Sequence, residues 1–167
     1  TDISAVLKDP DITAVAIATP VSTHHPIALE ALRAGKHILV EKPLAETHAK
    51  ALEILEEADK RNLQVMVDHT FPYTGAVRKM KELIQSGDLG EIYYYDSIRV
   101  NLGLFQRDVS VIWDLAVHDV SILEFLLPQK PVAVSSTGIG HIKGHQPNIS
   151  YITLYFQENT IAHISTK

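Results

Sequence analysis

Three short apolar runs constrain this chain more than any other feature: Thr13-Ala14-Val15-Ala16-Ile17-Ala18, His37-Ile38-Leu39-Val40 and Val65-Met66-Val67. The first shows no polar alternation, which predicts a strand covered on both faces, as in a parallel sheet flanked by helices. It stops at Thr19-Pro20, because proline cannot donate to a ladder. Ser22 or Thr23 is placed to cap a helix carrying Pro26, Ala28, Leu29, Ala31 and Leu32, which Gly35 ends. The second run closes at Lys42-Pro43. Thr47 caps the next helix, whose stripe is Ala51, Leu52, Leu55 and Ala58, with Glu56–Lys60 and Glu57–Arg61 pairs on its outer side. Strand, helix, strand, helix, strand with short connections predicts a parallel sheet wound by right-handed crossovers.

After about residue 70 the rhythm changes. Ala76, Val77, Met80, Leu83 and Ile84 lie on one helical face, and Gly87-Asp88-Leu89-Gly90 makes a turn. Glu91 to Val100 is rich in Tyr and β-branched residues and reads as a long strand. An apolar helix from about Ile112 to Leu127 stops at Pro128. Strands are expected over Val132–Thr137, Ile149–Phe156 and Thr160–Ser165. The expected fold class is therefore α/β followed by α+β, the second sheet mostly antiparallel and open.

Composition removes several functions. The 167 residues are 46% hydrophobic and 21% charged, enough for a packed core. There is no cysteine, hence no disulfide, zinc–thiolate site or cysteine nucleophile, and a reducing, cytoplasmic setting is expected. A net charge of −5 without a basic run argues against nucleic acid, and no apolar stretch is long enough for a membrane helix. The chain opens on Thr1 rather than Met, and the expectation is a piece of a longer protein.

Three patterns can carry chemistry. Thr19-Pro20, with His24 five residues beyond Thr19, stands at a strand end, where wound sheets bind ligands. A strand stop and a helix cap explain the same residues. Glu41-Lys42-Pro43 ends the next strand, so a lysine there points toward the same crevice and can hydrogen-bond a substrate oxygen or exchange a proton with it. A solvated strand-end lysine is the plainer alternative. The bond before Pro43 is a candidate for the cis form. Asp114 and His118 are four apart, which places both on one face of a helix, where the Asp can orient the imidazole as a base or simply stabilise the helix. Among the other histidines, His25 and His37 are expected to face solvent and His69 to line the crevice. His141, His145 and His163 are scattered. GxGxxG, Walker, GxSxG and HExxH motifs are all absent from the sequence.

Ala18-Thr19-Pro20 with His24, then Ala34-Gly35-Lys36-His37 through Glu41-Lys42-Pro43, then Asp114 with His118, together resemble the Gfo/Idh/MocA family. These are the glucose–fructose oxidoreductase and inositol dehydrogenase relatives. The resemblance runs over nearly the whole chain. It implies residues 1–70 as part of a Rossmann domain lacking its first βαβ unit, and 71–167 as part of an α+β substrate-binding and oligomerisation domain. It implies Lys42, Asp114 and His118 as the catalytic group, with Thr19, Pro20, His24 and Glu41 along an NAD or NADP cofactor. The implied activity is dehydrogenation or reduction at a secondary hydroxyl of a sugar, cyclitol or sugar nucleotide, in a homo-oligomer formed through the second sheet. Gly87-Asp88-Leu89-Gly90-Glu91-Ile92 matches the family's G-x-x-G-x-I turn.

The sequence departs from the family in three ways, one of them the expectation that the end of the C-terminal domain is missing. The Gly-rich phosphate loop and the ribose-reading acid have no counterpart, so weak dinucleotide binding is expected of this chain alone. Pro72 stands where an arginine is common. The competing readings are a non-catalytic sugar- or nucleotide-sensing module on the same fold, and a metal-dependent hydrolase or epimerase using His24, His69 and His118. Specificity is expected in the loop Asn101 to Asp108.

Overall fold

The computed structural model describes residues 3–101, 109–142, 146–157 and 159–167. The chain divides into two compact units, Thr1–Asp68 and His69–Lys167.

In the first unit the elements are α1 (Ile3–Lys8), β1 (Ala14–Ile17), α2 (Val21–Arg33), β2 (His37–Val40), α3 (His48–Arg61) and β3 (Val65–Val67). The strands pair in parallel in the order β1-β2-β3, with Ile17 opposite Val40 and Val40 opposite Val67. Ile17, Ile38 and Val40 point into a core with Ala28, Ala31 and Leu32 of α2 and Ile54 and Ala58 of α3. Leu32 and Ile54 are fully buried, each worth about 1.5–3 kcal/mol of transfer free energy. Both helices share one face of the sheet, as consecutive right-handed crossovers require. The opposite face, the row Ala16, Leu39 and Met66, is exposed. The expectation of cover on both faces of β1 is corrected to one face among the described residues.

Local chemistry sets the boundaries. Gly35 has φ +78°, and the bonds Gly35 N–H to Leu32 O and Lys36 N–H to Ala31 O close α2 as a Schellman motif. Thr47 caps α3 by accepting from the Lys50 N–H, and left-handed Asn62 ends it. Lys36 is only 6% exposed, and its ammonium donates to the carbonyls of Asp9 and Ile12 at 2.6 and 2.7 Å, pinning the turn between α1 and β1. The expected i,i+4 pair Glu57–Arg61 is made at 2.6 Å. His25 and His37 do not simply face solvent. His25 Nε2 lies 2.7 Å from Glu53, and His37 Nδ1 accepts from the Gln64 N–H at 2.9 Å.

The second unit opens with a short 3-10 turn (Phe71–Tyr73), then α4 (Gly75–Ser86) and β4 (Tyr94–Arg99). A π-turn (Ile112–Ala116) leads into α5 (Val117–Leu126), followed by β5 (Ala133–Ile139), β6 (Ile149–Tyr155) and β7 (Ile161–Thr166). The sheet order is β4-β7-β6-β5; β4 and β7 run parallel and the other pairs antiparallel, a mixed, mostly antiparallel sheet. The long strand expected over Glu91–Val100 is shorter, because its pairing with β7 runs only from Tyr94 opposite Ile161 to Arg99 opposite Thr166. Ile152, Ala162 and Ile164 pack on Ala116 and Leu123, while Val77 of α4 meets Ile122 and Leu126. The outer face of the sheet stays open. It carries Tyr94 and Ile98, 71% and 70% exposed, and a His163 ring stacked on Tyr151 at 6.2 Å.

Candidate active site

At the carboxyl end of the first sheet, Thr19-Pro20 follow β1 and Glu41-Lys42-Pro43 follow β2, side by side because the Glu41 N–H continues the ladder to Ile17 O at 2.9 Å. α2 starts at Val21 with Pro20 in the cap position, two residues ahead of Ser22 and three ahead of Thr23, and no side chain caps it. Thr23 instead donates its hydroxyl proton to Pro20 O at 2.7 Å, so in the 2.6 Å contact between Thr19 and Thr23 hydroxyls Thr19 is the donor. With its proton committed, the exposed Thr19 hydroxyl meets a ligand as an acceptor. Glu41 and Lys42 are half-buried, Pro43 is buried, and the Lys42–Pro43 bond is cis.

His24 plays a different part from the one expected. It is 0% exposed, with Nδ1 2.9 Å from Pro43 O and Nε2 2.9 Å from Thr19 O. Both ring nitrogens face main-chain carbonyls inside the unit; a carbonyl only accepts, so a neutral imidazole donates to one of the two, and the fully buried ring offers no nitrogen at the surface for a cofactor or a metal. The expectation of His24 along the cofactor becomes a strut that joins the two strand-end segments. The same geometry removes His24 from the expected metal set with His69 and His118, and among the described residues no cluster of His, Asp and Glu is arranged to hold a metal ion.

In the second unit, Asp114 lies in the π-turn and His118 is the second residue of α5, both half-buried. The spacing of four predicts one regular helical turn between them; the stretch Ile112–Ala116 is instead a π-turn, although the Asp114 N–H itself still bonds four residues back, to Ser110 O at 3.0 Å. His118 meets Phe71 edge-on, ring centroids 4.9 Å apart and planes at 65°. Its Nδ1 and that of His69 are buried. Sequence reasoning missed Asp119, 2% exposed, which accepts from Ser97 Oγ at 2.6 Å and from Arg99 Nε and Nη2 at 2.7 and 3.3 Å. Burial and the Asp119 charge push the nearby Tyr95 hydroxyl above its ordinary pKa. Residues 102–108, most of the expected specificity loop, and His145 lie outside the described residues.

Comparison with known proteins agrees with this frame. Residues 1–69 match the oxidoreductase family with an NAD-binding Rossmann fold, and residues 77–167 match the GFO/IDH/MocA C-terminal domain. The chain belongs to the Gfo/Idh/MocA oxidoreductase family. It is 32% identical over 154 residues to the 1,5-anhydro-D-fructose reductase of Ensifer adhaerens, covering 84% of this chain and 46% of that protein. It is 30% identical over 138 residues to the scyllo-inositol 2-dehydrogenase (NAD(+)) of Bacillus subtilis, covering 80% and 40% respectively. An NAD-binding protein from Listeria innocua superposes with a TM-score of 0.89 at 26% identity, over 98% of this chain and 51% of that one. The chain thus spans less than half the length of these two curated relatives.

The donor set fits part of a nicotinamide dinucleotide. An acceptor hydroxyl at Thr19, the uncapped start of α2 and the half-buried Glu41 suit a ribose and its neighbouring groups.

Proposed function

We propose that this chain serves the NAD(P)-dependent oxidation of a secondary hydroxyl on a sugar, cyclitol or sugar nucleotide, or the reverse reduction. The observation that carries the reading is the placement of Glu41-Lys42-Pro43 beside Thr19-Pro20 on the carboxyl edge of a parallel sheet of this family. Thr19, Pro20 and Glu41 hold the cofactor, with His24 fixing the two segments that present them. When bound, the nicotinamide supplies the hydride acceptor for the carbinol carbon.

The chain's own side chains handle the proton and the charge. His118 takes the hydroxyl proton as general base, imidazole being the side chain that ordinarily titrates near neutrality. Lys42 hydrogen-bonds a substrate oxygen and stabilises negative charge that develops there. Asp114 orients the imidazole. The open face of the second sheet, with Tyr94 and Ile98 exposed, is assigned to self-association, which light scattering of the protein tests.

Nicotinamide absorbance with a panel of polyols tests the activity. Lys42→Ala and His118→Ala are each expected to lower kcat about 10²–10⁴-fold, and His118→Ala to abolish the acidic limb of the pH–rate profile. An unchanged limb in His118→Ala would pass the role of base to Lys42. Dinucleotide binding without turnover of any polyol would replace catalysis with sensing.

A further inference from the structure

Phe71 lies between two groups that the sequence keeps far apart. The Arg99 guanidinium carbon sits 4.5 Å from the Phe71 centroid, and the same ring meets His118 at 4.9 Å. A guanidinium over an aromatic ring is held by the ring's quadrupole, and an edge-on aromatic contact fixes the tilt of both planes. Arg99 itself has little freedom. Its Nε and Nη2 both donate to Asp119, whose carboxylate is further fixed by Ser97. Asp119 follows His118 on α5, whereas Ser97 and Arg99 belong to β4. The network therefore ties the helix to the strand and closes back on the imidazole through Phe71.

We infer that Arg99 is a positioning residue for His118, acting through the Phe71 ring, with Asp119 as its buried counter-ion. The inference rests on His118 being the base proposed above. Only a planar fork can hold this position, because it satisfies a carboxylate with two N–H groups while lying flat on a ring, which an ammonium cannot do. Asp119 faces Ser97, Arg99 and Tyr95 from β4, so its charge is compensated chiefly by Arg99.

Arg99→Lys and Phe71→Leu test this, with His118→Ala in parallel. Both variants keep bulk or charge, and thermal melting reports whether each folds. Expected are a roughly tenfold lower kcat with an unchanged KM for the cofactor, and altered His118 ring signals in NMR spectra of histidine-labelled protein. Arg99→Lys should fall short of wild type although its charge is conserved. Phe71→Leu moves these signals by loss of its ring current alone, so the deciding variant is Arg99→Lys, which keeps the Phe71 ring: unchanged His118 ring signals in the folded Arg99→Lys protein would overturn the inference, whatever the activity. If the ring signals move in Arg99→Lys while His118→Ala keeps its acidic limb, the positioning stands and the assignment of the base falls.

Discussion

The two units bury their polar anchors in opposite ways. In the first, Lys36 and His24 reach main-chain carbonyls of Asp9, Ile12, Thr19 and Pro43, neutral acceptors already fixed by the backbone. In the second, Asp119 is satisfied entirely by side chains, Ser97 and Arg99 from a strand some twenty residues earlier. A side chain set against carbonyls shapes the loops next to it and leaves neutral groups behind when it is removed. A buried ion pair joins elements remote in sequence and leaves a charge behind. The cost of removing one partner should differ accordingly.

The largest effect is therefore expected at Asp119. Asp119→Ala strands the Arg99 guanidinium, and breaking a buried pair typically costs about 3–5 kcal/mol. Arg99 keeps some contact with water, so the lower end of that range is expected, read as a drop in denaturant midpoint. Lys36→Met keeps the aliphatic stem and leaves two carbonyls without their donor, about 1–3 kcal/mol by the ordinary cost of an unmade hydrogen bond. Asp9 is exposed, so water replaces part of that loss and a value near the bottom of the range is expected. Equal losses from the two substitutions would erase the distinction between the units.

The same contrast explains what could be read from the sequence. Gly35, Thr47 and the Pro43 stop were legible because each acts on its own backbone, as a left-handed residue, a cap or a chain direction. The last three strands were placed to within a residue or two at most ends, since period-2 patterns and turn residues are also local. Asp119 was hidden beside His118. The i,i+4 rule looks along a helix for partners, and this carboxylate finds its own across to β4. His24 was misread for a related reason: its acceptors are carbonyls, which every residue has, so no side-chain pattern announces them. The π-turn at Asp114 and the parallel pairing of β4 with β7 likewise depend on contacts that only the folded chain brings together.

The smallest effect is expected at Tyr95, which lies near the buried Asp119 carboxylate. Tyr95 is half-buried, and its hydroxyl is pushed up first by burial and then by the Asp119 carboxylate, against smaller opposing contributions from Ser97 and Arg99. A raised folded-state pKa means that the folded protein keeps the phenolic proton after the unfolded chain has lost it. The resulting stability is complete below the ordinary tyrosine value near 10 and is lost as pH rises from there through the folded value. Tyr95→Phe has no proton to lose, so between about pH 9 and about pH 11 its stability should fall less steeply than that of the wild type. Lysines titrate in the same range, but they are common to both proteins and cancel in the difference. Denaturation curves of the pair across this interval measure it. Parallel pH dependences would show that neither burial nor the Asp119 carboxylate perturbs Tyr95 in the folded protein, and would remove this trace of the second unit's charged anchor.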